Sequence, residues 1–72
     1  MRNLSQGDEG PDVETLQLLL GWRMEMELEV TGIFDERTKM LVMMYQRLRK
    51  IDFEPGVAEV ETWEGLIEGH AA

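Results

Sequence analysis

The sequence contains no cysteine. No disulfide and no thiolate ligand can supplement its core, and the redox compartment stays open. Histidine is almost absent too: His70 is the single one, so a zinc-type site has almost nothing to bind with. An activated Ser, Thr or Lys nucleophile needs a base beside it, and no pattern positions His70 or Ser5 for that work. Basic residues are scarce, seven against fifteen acids, for a formal net charge of −8. Such a balance repels phosphate backbones and anionic membranes and argues against nucleic acid or a membrane as a partner. Acidity also simply keeps a small domain soluble. No apolar run approaches the ~20 residues needed to cross a bilayer. Residues 1–20 lack the basic start, apolar stretch and small-residue cleavage site of a secretion signal. With Met1 as the natural start, the expectation is a soluble product without conventional export.

What remains is one small domain. A chain of 72 residues buries only about 60% of its unfolded surface, near the lower limit for independent folding. Acids abound, but Asp8-Glu9 and Asp12 lack the ligand spacing of a calcium loop. Carboxylate pairs could in principle serve a glycosidase, yet a domain of this size leaves little room for a cleft. The sequence therefore predicts no enzyme, no metal and no cofactor.

A short pattern occurs twice. Gly32-Ile33-Phe34-Asp35-Glu36-Arg37-Thr38 is echoed by Gly56-Val57-Ala58-Glu59-Val60-Glu61-Thr62, 24 residues on from Gly32 to Gly56. Each copy has a glycine, a β-branched residue, an acid and a threonine at the same places, and an apolar helical run follows. A fixed offset of this kind marks a repeated supersecondary unit. The glycine suits a turn with positive φ, and Asp35 or Glu59 suits a helix N-cap.

The helices follow. Gly10-Pro11 opens the first, since proline at the first helical position gives up an amide that had no partner. Val13, Leu16, Gln17 and Leu20 recur on one face, and Gly21 is expected to end it. Met24, Met26, Leu28 and Val30 then alternate with Glu25, Glu27 and Glu29, a period of two that fits a short edge strand or an ordered loop. Asp35 opens a second helix to about Lys50. Asp52–Val57 is a turn-rich link, and a third helix runs from about Glu59 to Gly69. The expected organisation is a polar leader over 1–9, a domain over 10–69 and a frayed tail over 70–72.

With Leu16-Gln17 and Tyr45-Gln46 added to the repeat, the chain resembles the peptidoglycan-binding-domain-1 family. Gly10–Leu20 is similar to the family's first helix. Gly32-Ile33-Phe34 through Thr38, Leu41-Val42 and Tyr45-Gln46 are similar to its central stretch, and Gly56-Val57 through Thr62-Trp63 and Leu66 to its closing one. The resemblance runs from about Leu4 to Leu66. It implies an all-α fold, a compact three-helix peptidoglycan-binding-like domain with long ordered connections. It also implies a non-catalytic module that binds bacterial peptidoglycan. The missing cysteine excludes the cysteine-switch role that a similar fold plays in metalloproteinase propeptides. Family members often carry Asp-Gly where this chain has Thr31-Gly32 and Pro55-Gly56, and glycine at Asp35 and Glu59. Arg23–Glu29 stands in for a loop usually rich in proline and glycine. A wall-binding domain without an export signal fits a bacteriophage protein, or equally an excised piece of a larger one.

Aromatic faces stack on sugars and anchor interfaces. Trp22 and Phe53, placed in connections, are candidate stacking residues, whereas Trp63 falls at a core position. Arg23 and Arg47 are candidates for bidentate pairing with stem-peptide carboxylates. Gly32, Asp35, Thr38, Gln46, Gly56, Glu59, Thr62 and Trp63 maintain the fold. On a helical wheel at ~100° per residue, Thr38, Leu41, Val42, Tyr45 and Arg49 share one side of the second helix. Met40, Met43 and Met44 point to the other, with Arg47 among them. A surface helix should be polar there, so the methionines are either covered by the Met24–Met26 segment or form an adaptable contact surface. The alternative function is therefore a structural or protein-interaction component, such as a virion assembly block, using this Met-rich face for a protein partner or for self-association.

Overall fold

Proline at the N-terminus, acids in the first turn and an apolar face set the first helix, α1 (Pro11–Met24), which buries Val13, Leu16, Gln17 and Leu20. The computed structural model describes residues 3–71, with side chains of residues 3–68. The second helix, α2 (Glu36–Arg49), opens on Asp35, whose carboxylate accepts the Thr38 amide at 2.9 Å. The third, α3 (Val60–Ala71), follows Glu59, whose carboxylate accepts the amides of Glu61 and Thr62 at 2.8 and 2.9 Å. The described residues hold these three helices and no strand, only two isolated antiparallel bridges. None of the described helices is long and apolar enough to cross a membrane.

The helix α1 packs against both α2 and α3. Leu16, Leu20, Phe34, Val42, Trp63 and Leu66 are among the residues that fill the centre, and all are almost wholly buried. Trp63 thus takes the core position expected for it. On α2, Thr38, Leu41, Val42 and Tyr45 are buried as the wheel indicated, whereas Arg49 is exposed.

Two expectations are corrected at the end of α1. Gly21 does not end α1, which continues through Trp22 and Arg23 to Met24; Glu25 then turns left-handed (φ 51°). The Glu25 amide donates to the Trp22 carbonyl and the Met26 amide to the Gly21 carbonyl, at 3.3 and 3.1 Å. That pair of bonds is a Schellman ending, and it satisfies carbonyls that a helix terminus leaves open. Trp22 is therefore helical and does not lie in a connection. Of the two readings that the alternation allowed, residues 26–30 take the ordered loop and no strand.

The stretch over 1–9, expected as a polar leader, is stitched into the domain from residue 4 onward. Leu4 is fully buried and exchanges both backbone bonds with Ala58, at 3.0 and 2.8 Å. The Gly7 amide donates to Phe34 O, Phe34 N to Asp8 O, and Gly10 N to Gly32 O, each at 2.9 Å. The segment so ties together the loops that precede α2 and α3. At the other end, α3 continues through Ala71. Ala72 and the His70 side chain lie outside the described residues, as do Met1 and Arg2.

Candidate functional site

The Schellman ending recurs at the end of α2. Lys50 is left-handed (φ 57°), its amide donates to Arg47 O, and the Ile51 amide donates to Gln46 O at 2.9 Å. This turn sends the chain back along α2 as the link over 51–59. Gln46, buried, then holds the link from beneath. Its amide oxygen accepts the Gly56 N–H at 3.0 Å, and its amide nitrogen donates to Val57 O and Thr62 Oγ1 at 2.9 and 3.2 Å. Gly56 has φ +86°, and a Cβ there would lie 2.8 Å from Lys39 Cγ. The close approach of link to helix therefore requires glycine.

Between α2 and this link lies a groove of about 190 Å³, lined by Met43, Gln46, Arg47, Ile51, Phe53 and Pro55. Met43 and Arg47 come from one turn of α2, Phe53 and Pro55 from the facing link. Phe53 keeps 44% of its surface exposed. The polar atoms of Gln46 are already committed, so the wall is apolar and aromatic, with the Arg47 guanidinium as its charged donor. Such a surface can stack on the apolar face of a sugar and take a carboxylate in bidentate fashion.

A second groove of about 190 Å³ lies between α1 and the loop after it, lined by Gln17, Leu18, Gly21, Trp22, Met26, Leu28 and Val30. Trp22 is 59% exposed there. A third depression, of about 220 Å³, is bordered by Arg49 and by Glu61, Glu64 and Glu68 of α3. Among the described residues no three His, Cys, Asp or Glu side chains cluster as a metal site.

The four candidate ligand residues thus divide. Arg47 and Phe53 share the first groove, and Trp22 belongs to the second. Arg23 is engaged between helices: its Nε donates to Leu66 O of α3 at 3.0 Å. Its Nη2 and the Tyr45 hydroxyl are both buried without a protein hydrogen-bond partner. Burial pushes the Tyr45 phenol up, against the opposing pull of Arg49 and Arg23. The methionines divide as well. Met43 is half-buried in the first groove, whereas Met40 and Met44 stay 55% and 48% exposed. Of the Met24–Met26 segment, the alternative cover for these methionines, Met26 lies in the second groove. Sequence reasoning passed over Ile51 and Pro55 as groove residues, and Leu48, four positions beyond Met44 on the same stripe.

No protein-family model matches the chain, and no curated protein matches it. Solved structures do. Over 96% of its length the chain is 30% identical to part of a Burkholderia AP3 phage endolysin, with a TM-score of 0.82. Over 90% it is 28% identical to part of a periplasmic domain of the EpsAB fusion protein of the Vibrio vulnificus type II secretion system, with a TM-score of 0.83. Over 94% it is 24% identical to the SleB N-terminal domain, with a TM-score of 0.85. The chain has the all-α fold of these proteins. It spans 26% of the endolysin chain and 29% of the Vibrio chain, but 92% of the SleB domain.

Proposed function

We propose that the chain is a non-catalytic module that attaches to bacterial cell-wall glycopeptide through the groove between α2 and the link over 51–59. The observation that carries this reading is the convergence of Arg47 and Phe53 on one groove. One supplies a planar cation for a stem-peptide carboxylate, the other an aromatic face for a sugar ring. The resemblance in sequence and the shared fold with part of a phage endolysin support the same ligand class. A module of this kind works by raising the local concentration of whatever it is joined to, through individually weak contacts. Co-sedimentation with purified sacculi tests it: the domain should pellet saturably at moderate salt, and Phe53→Ala and Arg47→Ala should each lose pelleting while helical circular dichroism persists. Unchanged pelleting of both variants would remove this groove from the account. A second reading, attachment to protein, is favoured by the exposure of Met40 and Met44 on α2.

A further inference from the structure

The second groove carries a distinct chemistry. Leu18, Trp22, Met26 and Val30 leave between 39% and 59% of their surfaces exposed along it. The loop that forms its outer wall bears Glu25, Glu27 and Glu29, all exposed. Wall glycopeptide is a poor occupant for such a rim, because its stem-peptide carboxylates would meet three like charges. The groove instead fits an apolar ridge flanked by cations.

The same chain carries such a ridge. It has only seven Lys and Arg in all, and five of them, Arg37, Lys39, Arg47, Arg49 and Lys50, lie on α2 and its cap. On the outward face of α2, Met40, Met44 and Leu48 follow at i, i+4 and i+8, exposed by 55%, 48% and 69%. At ~100° per residue Arg47 lies beside this stripe, while Arg37 and Glu36 share its side of the helix one turn before Met40. A row of side chains spaced by four is the ridge that helix packing seats in a groove. Methionines adapt their shape to the surface they meet.

We infer that the groove between α1 and the 26–30 loop receives the Met40–Met44–Leu48 ridge of α2 from a second copy of this chain. Groove and ridge are different surfaces of one molecule. Association therefore runs head to tail, the groove of one copy receiving the ridge of the next. The contact is small, and interfaces of this class are transient. The charge segregation gives it direction: a molecule of net charge −8 repels its copies in general and attracts them where α2 meets the glutamate rim.

Sedimentation velocity across a concentration series, with the wild-type chain and two charge insertions, tests the inference. Met26→Glu spoils the groove and Met44→Glu spoils the ridge; both sites are partly exposed, and circular dichroism checks that each variant keeps its helices. The wild type should associate as its concentration rises, and either variant alone should weaken association by more than about tenfold, since each buries an unpaired charge. An equimolar mixture of the two should associate again, because one variant retains the groove and the other the ridge. A wild type that stays monomeric at about millimolar concentration overturns the inference. So does a mixture no heavier than its components, which would mean that Met26 and Met44 do not belong to one contact.

Discussion

Gln17 and Gln46 make the same bonds to two different loops. Gln17 Oε1 accepts the amides of Thr31 and Gly32 at 2.9 and 3.0 Å, and its Nε2 donates to Ile33 O and Thr38 Oγ1, both at 3.1 Å. Gln46 repeats the pattern with Gly56 N, Val57 O and Thr62 Oγ1. Each glutamine sits in one helix, grips the glycine turn that follows, and ends on the threonine of the next helix. The repeated sequence pattern is thus a repeated clamp, and both long connections are ordered because a buried amide holds each one.

Removing a clamp should cost more than its hydrogen bonds. Gln46→Ala leaves the buried Gly56 N–H without a partner, a penalty of about 1–3 kcal/mol. In a domain of this size that lowers the melting temperature by roughly 4–8 °C per kcal/mol. Gln17→Ala should cost at least as much, since Thr31 and Gly32 both lose their acceptor. Thermal unfolding followed at 222 nm measures both.

Acid should destabilise the fold through its two helix starts. The Thr38 amide bound to Asp35 holds that carboxyl below its ordinary value, helped by the Thr38 hydroxyl. Burial pushes Glu59 up, but hydrogen bonds from Thr62 and Glu61 outweigh it and leave this carboxyl lowered too. Both groups therefore contribute stability that is full above the ordinary carboxylate value of about 4. That contribution is lost as the pH falls through the depressed folded values. Asp35→Ala and Glu59→Ala should each lower stability at pH 7, by about 0.5–2 kcal/mol as for a lost cap. The deficit relative to wild type should shrink as the pH falls below 4. Urea unfolding over a pH series reads the convergence.

Glu25→Gly should stabilise the domain. Glu25 adopts φ 51° at the end of α1, a conformation that disfavours a side chain, and its negative charge faces the negative end of the helix. Glycine relieves both, and after its own backbone entropy the gain is up to about 1 kcal/mol. Chemical denaturation at dilute concentration measures it.

Gly65→Ala should destabilise it, against helix propensity. A Cβ at Gly65 would lie 2.9 Å from the Tyr45 hydroxyl and 3.7 Å from Ile51 Cδ1. Tyr45 is buried and cannot swing aside freely, so overpacking of about 1–3 kcal/mol exceeds the ~1 kcal/mol that alanine gains over glycine in a helix. A higher melting temperature in the variant would contradict this packing.

Much of the fold could be read from local pattern. Glycine, acid and threonine at fixed places encode turn, cap and clamp partner in one short stretch, so both Asp35 and Glu59 were legible as caps. The end of α1 was not. Glu25 takes the left-handed position that glycine usually fills, while Gly21 stays helical; a Cβ at Gly21 would meet the Met26 carbonyl at 3.3 Å. The alternation from Met24 to Val30 then resembles a strand, although Met24 and Leu28 pack on the core from a helix end and a loop. Leu4 was hidden for a different reason. A single apolar residue in a polar run has no period, and its backbone partner Ala58 lies at the far end of the chain. The candidate site was half legible: Arg47 and Phe53 were chosen as residue types, but only the turn at Lys50 brings them to one groove.

We propose above that the groove of Met43, Arg47 and Phe53 binds wall glycopeptide. Titration of the isotope-labelled domain with soluble muropeptides, followed by amide chemical-shift mapping, tests it most directly. Saturable shifts centred on residues 43–47 and 51–55, abolished by Phe53→Ala, are expected. Shifts centred on Trp22 and Met26, or none at millimolar ligand, would contradict it.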